Sequence, residues 1–436
     1  MMHAAGTSVP LGASDRGTAS ALDRHIQGGR MNKRISRLSA VVALLAATAL
    51  VATGCGGGGA SEQSGSGGGA KVFKIGIGAP LTAGSVAQGQ GIERGVKLAL
   101  KQASESAEAK ELGITFESVS GDDQGDPKTG VTVANTFASD PSLLGVVGHL
   151  NSGVTIPASK VYNDAKLPVI SPAATNPALT TQGFNNVFRT CTIDSVQGPA
   201  GADAMFGDKV GAKTAVVVDD STPYGEGLCD EFAKKFEELG GTVAFREKTS
   251  DKDTDFNALA TKTKAANPDV VYYGGTYNAG SLLSKQMSGS GIVAPLMGGD
   301  GLFDPEFINL AGAEGAEGDM CTSVGLPTSE LPKGQEFEAA YKAEFPDNEI
   351  GAYDAYSYDA ADVLVKAIFK VGKEMGVDKL STPAGRDAII AAVAATDMEG
   401  VTGQVKFDQN GDTLNKAITV YRVESGEWKP FIIPQQ

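Results

Sequence analysis

Leu144-Gly145-Val146-Val147-Gly148-His149-Leu150-Asn151-Ser152-Gly153 is the stretch from which the fold is read. Its first five residues are small or apolar and uncharged, which suits a strand covered on both faces of a parallel sheet. His149, Asn151 and Ser152 then turn the chain. A helix is expected over 157–165, and Pro168-Val169-Ile170 reads as the next strand. Strand, polar loop, helix and strand make a βαβ unit, whose crossover is right-handed in nearly all proteins.

The same rhythm runs outward in both directions. Upstream, strands are expected over 72–77 and 114–119, and helices over 92–102 and 127–138. Asp126 is the N-cap of the second helix and Pro127 its first residue. Downstream the pattern restarts, with strands over 215–218, 242–245, 269–273 and 295–297. Helices over 225–239, 256–265 and 279–287 separate them. Strands and helices at this spacing predict an α/β protein: two Rossmann-like lobes with mainly parallel sheets. The last third differs, with helices over 336–345, 356–371 and 384–395, then strands over 404–407 and 417–423. Asp408-Gln409-Asn410-Gly411-Asp412 between those strands lacks the closing acidic residue of a calcium loop and reads as a hairpin turn.

The N-terminus is read as a targeting segment and set apart from the fold. Met31-Asn32-Lys33-Arg34-Ile35-Ser36-Arg37 is basic, and 38–52 is almost wholly apolar but too short to span a bilayer comfortably. Val51-Ala52-Thr53-Gly54-Cys55 resembles a bacterial lipoprotein cleavage box, with Cys55 as the lipidated residue. Residues 1–30 are therefore expected to be an over-extended start, 31–54 a lipoprotein signal peptide, and 55–70 the lipidated Cys and a Gly/Ser tether. Such a tether has nothing to bury and behaves as a flexible coil.

Composition excludes several classes. Residues 1–55 hold six Lys/Arg and two Asp/Glu; without them 31 basic residues face 50 acidic ones, a net charge of −19. That balance argues against nucleic-acid binding, which needs a basic footprint. Beyond residue 55, His149 is the one histidine, so zinc clusters built on several histidines are ruled out and a Ser-His-Asp triad would hang on one residue. His149 ends a strand and reads as a structural hydrogen-bonding group. No nucleophile elbow, phosphate loop or complete dinucleotide fingerprint is present. Cys191, Cys229 and Cys321 form no C-x-x-C pair, and an odd count leaves one thiol over. No metal or cofactor is called for.

Open parallel sheets bind ligands at the carboxyl ends of their strands. Ser152 follows one such end. Ser171-Pro172-Ala173-Ala174-Thr175 follows another. Hydroxyls and backbone N–H groups at a helix start suit a carboxylate, although Ser152 and Thr175 taken singly fit simple helix capping. Gly298-Gly299-Asp300-Gly301 after a third strand offers a carboxylate for an ammonium group.

Five motifs then occur in order: Gly148-His149-Leu150-Asn151-Ser152; Ile170-Ser171-Pro172-Ala173-Ala174-Thr175-Asn176-Pro177; Phe188-Arg189-Thr190 with Asp194 and Gln197-Gly198-Pro199; Tyr224-Gly225-Glu226-Gly227; and Tyr272-Tyr273-Gly274-Gly275. Together they resemble the branched-chain amino-acid (Leu/Ile/Val) binding proteins of ABC importers, over residues 71–436. The resemblance implies a type I periplasmic binding fold: two lobes joined by three crossovers, lobe one at 71–192 plus 323–418 and lobe two at 193–322 plus 419–436. It further implies that Ser152, Ala173 and Thr175 hold the ligand carboxylate, that Asp300 with Thr175 meets the ammonium, and that Tyr224, Tyr277 and Tyr353 form the pocket wall.

Two departures accompany it. The loop Leu81-Thr82-Ala83-Gly84-Ser85-Val86-Ala87-Gln88-Gly89 has no tyrosine, and Gln88 stands near the place where relatives often carry one. The lobe-one disulfide of the family is replaced by Gly125 and Asn151, and Cys191 and Cys321 near the crossovers become the candidate bridge. The implied partners are an amino-acid-like small molecule, an ABC permease and its ATPase, and the membrane through the lipid anchor alone, with the protein a monomer outside the cell membrane. Other readings stay open: a same-fold receptor for another amino acid, an amide or urea, or an aromatic acid, and an extracellular ligand sensor. An enzyme is not expected, because no nucleophile has a base beside it.

Overall fold

A strand made of Leu, Val and Gly has no polar face to give to water, so it needs a neighbour on each edge and helices above and below. Residues 143–148 meet that condition, being buried throughout. The computed structural model describes residues 70–434; the segment expected to be a signal peptide, Cys55 and all but the last residue of the expected tether lie outside the described residues. The first sheet comprises β1 (Lys71–Ala79), β2 (Ile114–Asp122), β3 (Leu143–Gly148), β4 (Val169–Ser171) and β5 (Val187–Arg189). Its order is β2-β1-β3-β4-β5, parallel throughout.

The later strands are β6 (Thr214–Asp219), β7 (Thr242–Lys248), β8 (Val270–Gly274), β9 (Leu296–Gly298), β10 (Met320–Val324), β11 (Asp397–Gly400), β12 (Gly403–Lys406), β13 (Ile418–Glu424) and β14 (Glu427–Ile432). The second sheet has the order β14-β13-β10-β9-β8-β6-β7. Only β13 pairs antiparallel within it, with β10 on one side and β14 on the other. The period-two direction of strand side chains gives each sheet two packed faces. In β6, Val216 and Val218 enter one core while Ala215 and Val217 enter the other. In β3, Val147 packs toward the helix Asp354–Met375 and Val146 toward Tyr162. The chain passes between the sheets three times: after β5, after β10 and before β13.

Two expectations are corrected. The helix after β3 spans Ser152–Asp164, with Pro157 inside it, so it starts five residues earlier than Pro157 suggested. Proline is at home at a helix start because it lacks an N–H, but here it sits in the second turn, where the bond that Gly153 would accept is lost. Asp408–Asp412 does form a tight turn, with the Asp408 N–H donating to the Asp412 carbonyl at 2.8 Å. Phe407 and Thr413 form an antiparallel bridge across it, as in a short hairpin, but the longer strands beyond, β12 and β13, do not pair with each other. β12 pairs with β11, and β13 joins the second sheet. Among the described residues no helix is long and apolar enough to cross a membrane.

Candidate functional site

The site grows from the carboxyl end of β3. Gly148 has φ +130°, and a Cβ there would collide with the Gly78 carbonyl of β1, so only glycine fits. His149 follows, fully buried. Its Nδ1 meets Asp123 Oδ2 at 2.7 Å and its Nε2 meets Tyr162 Oη at 2.9 Å. Its carbonyl accepts from Ser171 Oγ at 2.8 Å. With both ring nitrogens engaged, His149 ties the loop to the end of β2, to the next helix and to β4.

Ser152 thereby opens its helix facing the loop after β4, and its Oγ accepts the Asn176 N–H at 3.2 Å. Ser171 Oγ accepts the N–H groups of Ala173, at 3.3 Å, and Ala174, at 2.9 Å. Arg189 fixes the same loop from β5. Its Nη1 donates to the carbonyls of Ala174 (2.6 Å) and Asn176 (3.0 Å), on either side of Thr175. Its Nε pairs with Asp412 Oδ1 at 2.6 Å and its Nη2 donates to Thr180 Oγ1 at 2.7 Å. Thr175 is 0 % exposed, and its hydroxyl has no hydrogen-bond partner among the described residues.

The second sheet supplies the facing wall. Asp300, just after β9, is fully buried. It accepts from Tyr224 Oη and from Tyr353 Oη, each at 2.9 Å. Tyr224 also accepts the Gly301 N–H at 3.0 Å. Burial pushes the Asp300 carboxyl above its usual range, while these two phenols pull it back. A Cβ on Gly299 would stand 2.5 Å from Tyr224 Oη and 2.9 Å from Gln197 Oε1, so backbone and side chains meet here without room to spare. Gln88, from the helix after β1, donates Nε2 to the Gly301 carbonyl at 3.2 Å and leaves Oε1 unpartnered among the described residues. Tyr277 accepts the Ala87 N–H at 3.1 Å. Asn278 and Asn176 add further bonds across the cleft, to the carbonyls of Gly84 (2.7 Å) and Pro223 (2.6 Å). The two sheets are thus clasped together.

Ser152, Ala173, Thr175, Asp300, Tyr224, Tyr353, Gln88 and Tyr277 are all buried along this junction. A cavity of about 790 Å³ opens beside it, lined by Ser85, Gln124, Asn151, Asp220, Thr222 and Tyr224 among others. Three residues quoted in the motifs but given no role also belong to the surroundings: Arg189, Asp194 and Gln197. The latter two stand three residues apart at the start of the helix Asp194–Phe206, hence on one face. Both Asp194 carboxyl oxygens and both Gln197 amide atoms lack hydrogen-bond partners among the described residues. Burial, then the nearby Asp300 charge, pushes the Asp194 carboxyl up to about 8. The Asp-x-x-Gln spacing after a strand end was the available signal.

The candidate Cys191–Cys321 bridge is not formed. All three cysteines of the described residues are free and buried. Side chains alternate along β10, so Cys321 enters a cluster with Tyr273 and Tyr421. Cys191 packs instead with Val324, Tyr356 and Ile418.

Residues 72–427 match the model of a family described as periplasmic binding protein. A Leu/Ile/Val-binding protein homolog of Brucella abortus is 36 % identical over 354 residues, covering 81 % of this chain and 90 % of the relative. The crystal structure of a leucine binding protein from Thermotoga maritima is similar with a TM-score of 0.74 at 30 % identity, covering 83 % of this chain and 98 % of that one. A branched-chain amino acid transporter substrate binding protein of Streptococcus pneumoniae, solved with isoleucine, gives 0.72 at 27 % identity, covering 82 % and 98 %. The α/β architecture, with two mainly parallel sheets clasped around buried polar side chains, is that of the type I periplasmic binding fold, and the chain belongs to the periplasmic binding protein family.

Proposed function

We propose that this protein captures a branched-chain or related amino acid outside the cytoplasm by closing its two lobes around it, and delivers it to the permease of an ABC importer. One observation carries this reading. Buried polar atoms without partners, rare in folded proteins, gather at the junction from both sides: Thr175 Oγ1, Gln88 Oε1 and the side chains of Asp194 and Gln197. Groups in that condition are ready for a polar ligand. The Ser152, Ala173 and Thr175 edge takes the carboxylate, and Asp300, held by two phenols, takes the ammonium. A buried carboxylate in that place disfavours an anionic aromatic acid and favours a zwitterion.

The lobes, 71–192 plus 323–418 and 193–322 plus 419–436, hinge about three crossovers. The ligand favours the closed form through contacts that exist only there. Closed protein docks on the permease, and an ATPase drives release. Cys55 carries the lipid that keeps the monomeric body at the membrane. Binding without catalysis fits the chemistry of the junction, where His149, the one histidine among the described residues, has both ring nitrogens committed to Asp123 and Tyr162. The unpartnered Gln88 Oε1 favours one variation: an amino acid whose side chain carries a donor.

Thermal melting of the purified protein with each amino acid tests both. Leu, Ile or Val at ~100 times Kd should add about 2.7 kcal/mol of stability. A larger response to Thr, Ser or Gln selects the variation, and no response to any amino acid rejects both.

A further inference from the structure

Asp194 is buried at 0 % exposure, yet neither carboxyl oxygen has a hydrogen-bond partner among the described residues. Its backbone N–H donates to the Thr175 carbonyl at 3.0 Å. Its side chain neighbours the Thr175 hydroxyl, and neither group has a hydrogen-bond partner among the described residues. The start of a helix favours an anion, but no N–H of the helix Asp194–Phe206 reaches the Asp194 carboxyl.

Charged groups from several elements face Asp194. Asp300 comes from the second sheet, and Glu231 from the helix Pro223–Glu238. Among the described residues Arg189 is the cation that faces Asp194, and its guanidinium is already taken by Asp412, two carbonyls and Thr180. The phenols of Tyr224 and Tyr272 and the Cys191 thiol complete the surroundings. Two carboxyls in one dry site do not both ionise readily. Asp300 receives two phenolic hydrogen bonds and Asp194 receives none. The charge therefore resides on Asp300 and the proton on Asp194, in line with the upward push that burial gives Asp194, to about 8.

A threonine hydroxyl has one hydrogen and two lone pairs. Facing an ionised Asp194, Thr175 would spend its hydrogen there and turn only lone pairs toward the ligand. Facing a protonated Asp194, it accepts from the acid and keeps its hydrogen. We propose that Asp194 is a positioning residue for Thr175, its carboxyl donating to Thr175 Oγ1 so that the threonine hydrogen points at the ligand carboxylate. This rests on the amino-acid reading above and adds a proton requirement to it.

Calorimetry of wild type and Asp194→Asn, with whichever amino acid gives the largest thermal shift, tests the idea between pH 6.5 and 9. Asparagine keeps the shape and a donor but does not titrate. Wild-type affinity should fall roughly tenfold per pH unit above about 8, while Asp194→Asn stays within about threefold of the neutral-pH value and Asp194→Ala binds weakly at every pH. A flat wild-type profile, or the same decline in Asp194→Asn, overturns the proposal. Infrared difference spectra of the ligand-free protein supply a readout independent of ligand identity. The carbonyl band of a protonated carboxyl should be present at pH 7 and diminished in Asp194→Asn; an unchanged band overturns the proton assignment even if amino acids bind.

Discussion

Asp300 shows how much a single side chain depends on its surroundings. It is fully buried, which pushes its carboxyl upward, and the hydroxyls of Tyr224 and Tyr353, from different parts of the chain, donate to it and pull it back. An ammonium brought to it would lose its water as well, so removing the carboxylate leaves that ammonium unpaired. Asp300→Ala should weaken amino-acid binding by roughly 2–5 kcal/mol, measured by calorimetry; unchanged affinity would remove Asp300 from the site. Tyr353→Phe deletes one hydrogen bond to a charge and should cost about 1.5–3 kcal/mol of affinity or stability, read from binding isotherms and urea melts together. Ser152, Thr175 and Asp300 were legible as candidates because each follows a strand end, where a parallel sheet presents its loops. Arg189 carried no such mark, and Asp194 carried only the Asp-x-x-Gln spacing after a strand end. Their importance comes from being buried beside particular neighbours, and sequence spacing does not encode which neighbours those are.

At the scale of elements, the loop 173–176 is held as a unit. Arg189 reaches it from β5 and grips the carbonyls that flank Thr175, while Asp412 from the far turn neutralises the guanidinium. Arg189→Met would leave Asp412 without its cation in a dry setting, and breaking such a pair costs about 3–5 kcal/mol. Urea denaturation should show that loss; a change under 1 kcal/mol would mean that the loop holds itself. His149 acts similarly at the end of β3. His149→Ala should destabilise the protein by about 1–3 kcal/mol for each partner left unsatisfied, here Asp123 and Tyr162. The strand-helix alternation was readable from apolar runs and caps, as with Asp126 before Pro127. Pro157 misled because a proline that begins helices elsewhere is tolerated here in the second turn. The turn at 408–412 was read rightly as a hairpin turn, closed by the Phe407–Thr413 bridge, but the pairing stops there, since β12 pairs with β11 and β13 joins the second sheet.

Across the whole molecule, several acids are buried away from counter-charges. Burial pushes Asp319 up to about 7 and Asp359 up to about 6, from an ordinary 3.8. Their folded forms hold protons that the unfolded chain releases, so the stability they contribute is full below about pH 4 and fades as pH rises through about 6 to 7. Asp140 works oppositely: hydrogen bonds from Ser142 and Lys74 hold it down at about 2, so its contribution is lost only below about pH 4. Urea midpoints should therefore rise as pH is lowered from about 8 to 5. Asp319→Asn, which can still accept the Leu296 N–H and bond Ser284, should reduce that slope; a midpoint that falls or stays level refutes the assignment. The sequence by itself determined the α/β class, the parallel strand rhythm and the strand ends at which binding groups would lie, because periodicity and local capping are short-range properties. Only the tertiary structure decided that Cys191 and Cys321 stay apart, that β13 and β14 complete the second sheet, and that Asp194 faces Asp300 in the dark of the cleft. Those are contacts between residues far apart in the chain, chosen by packing and by the cost of burying charge.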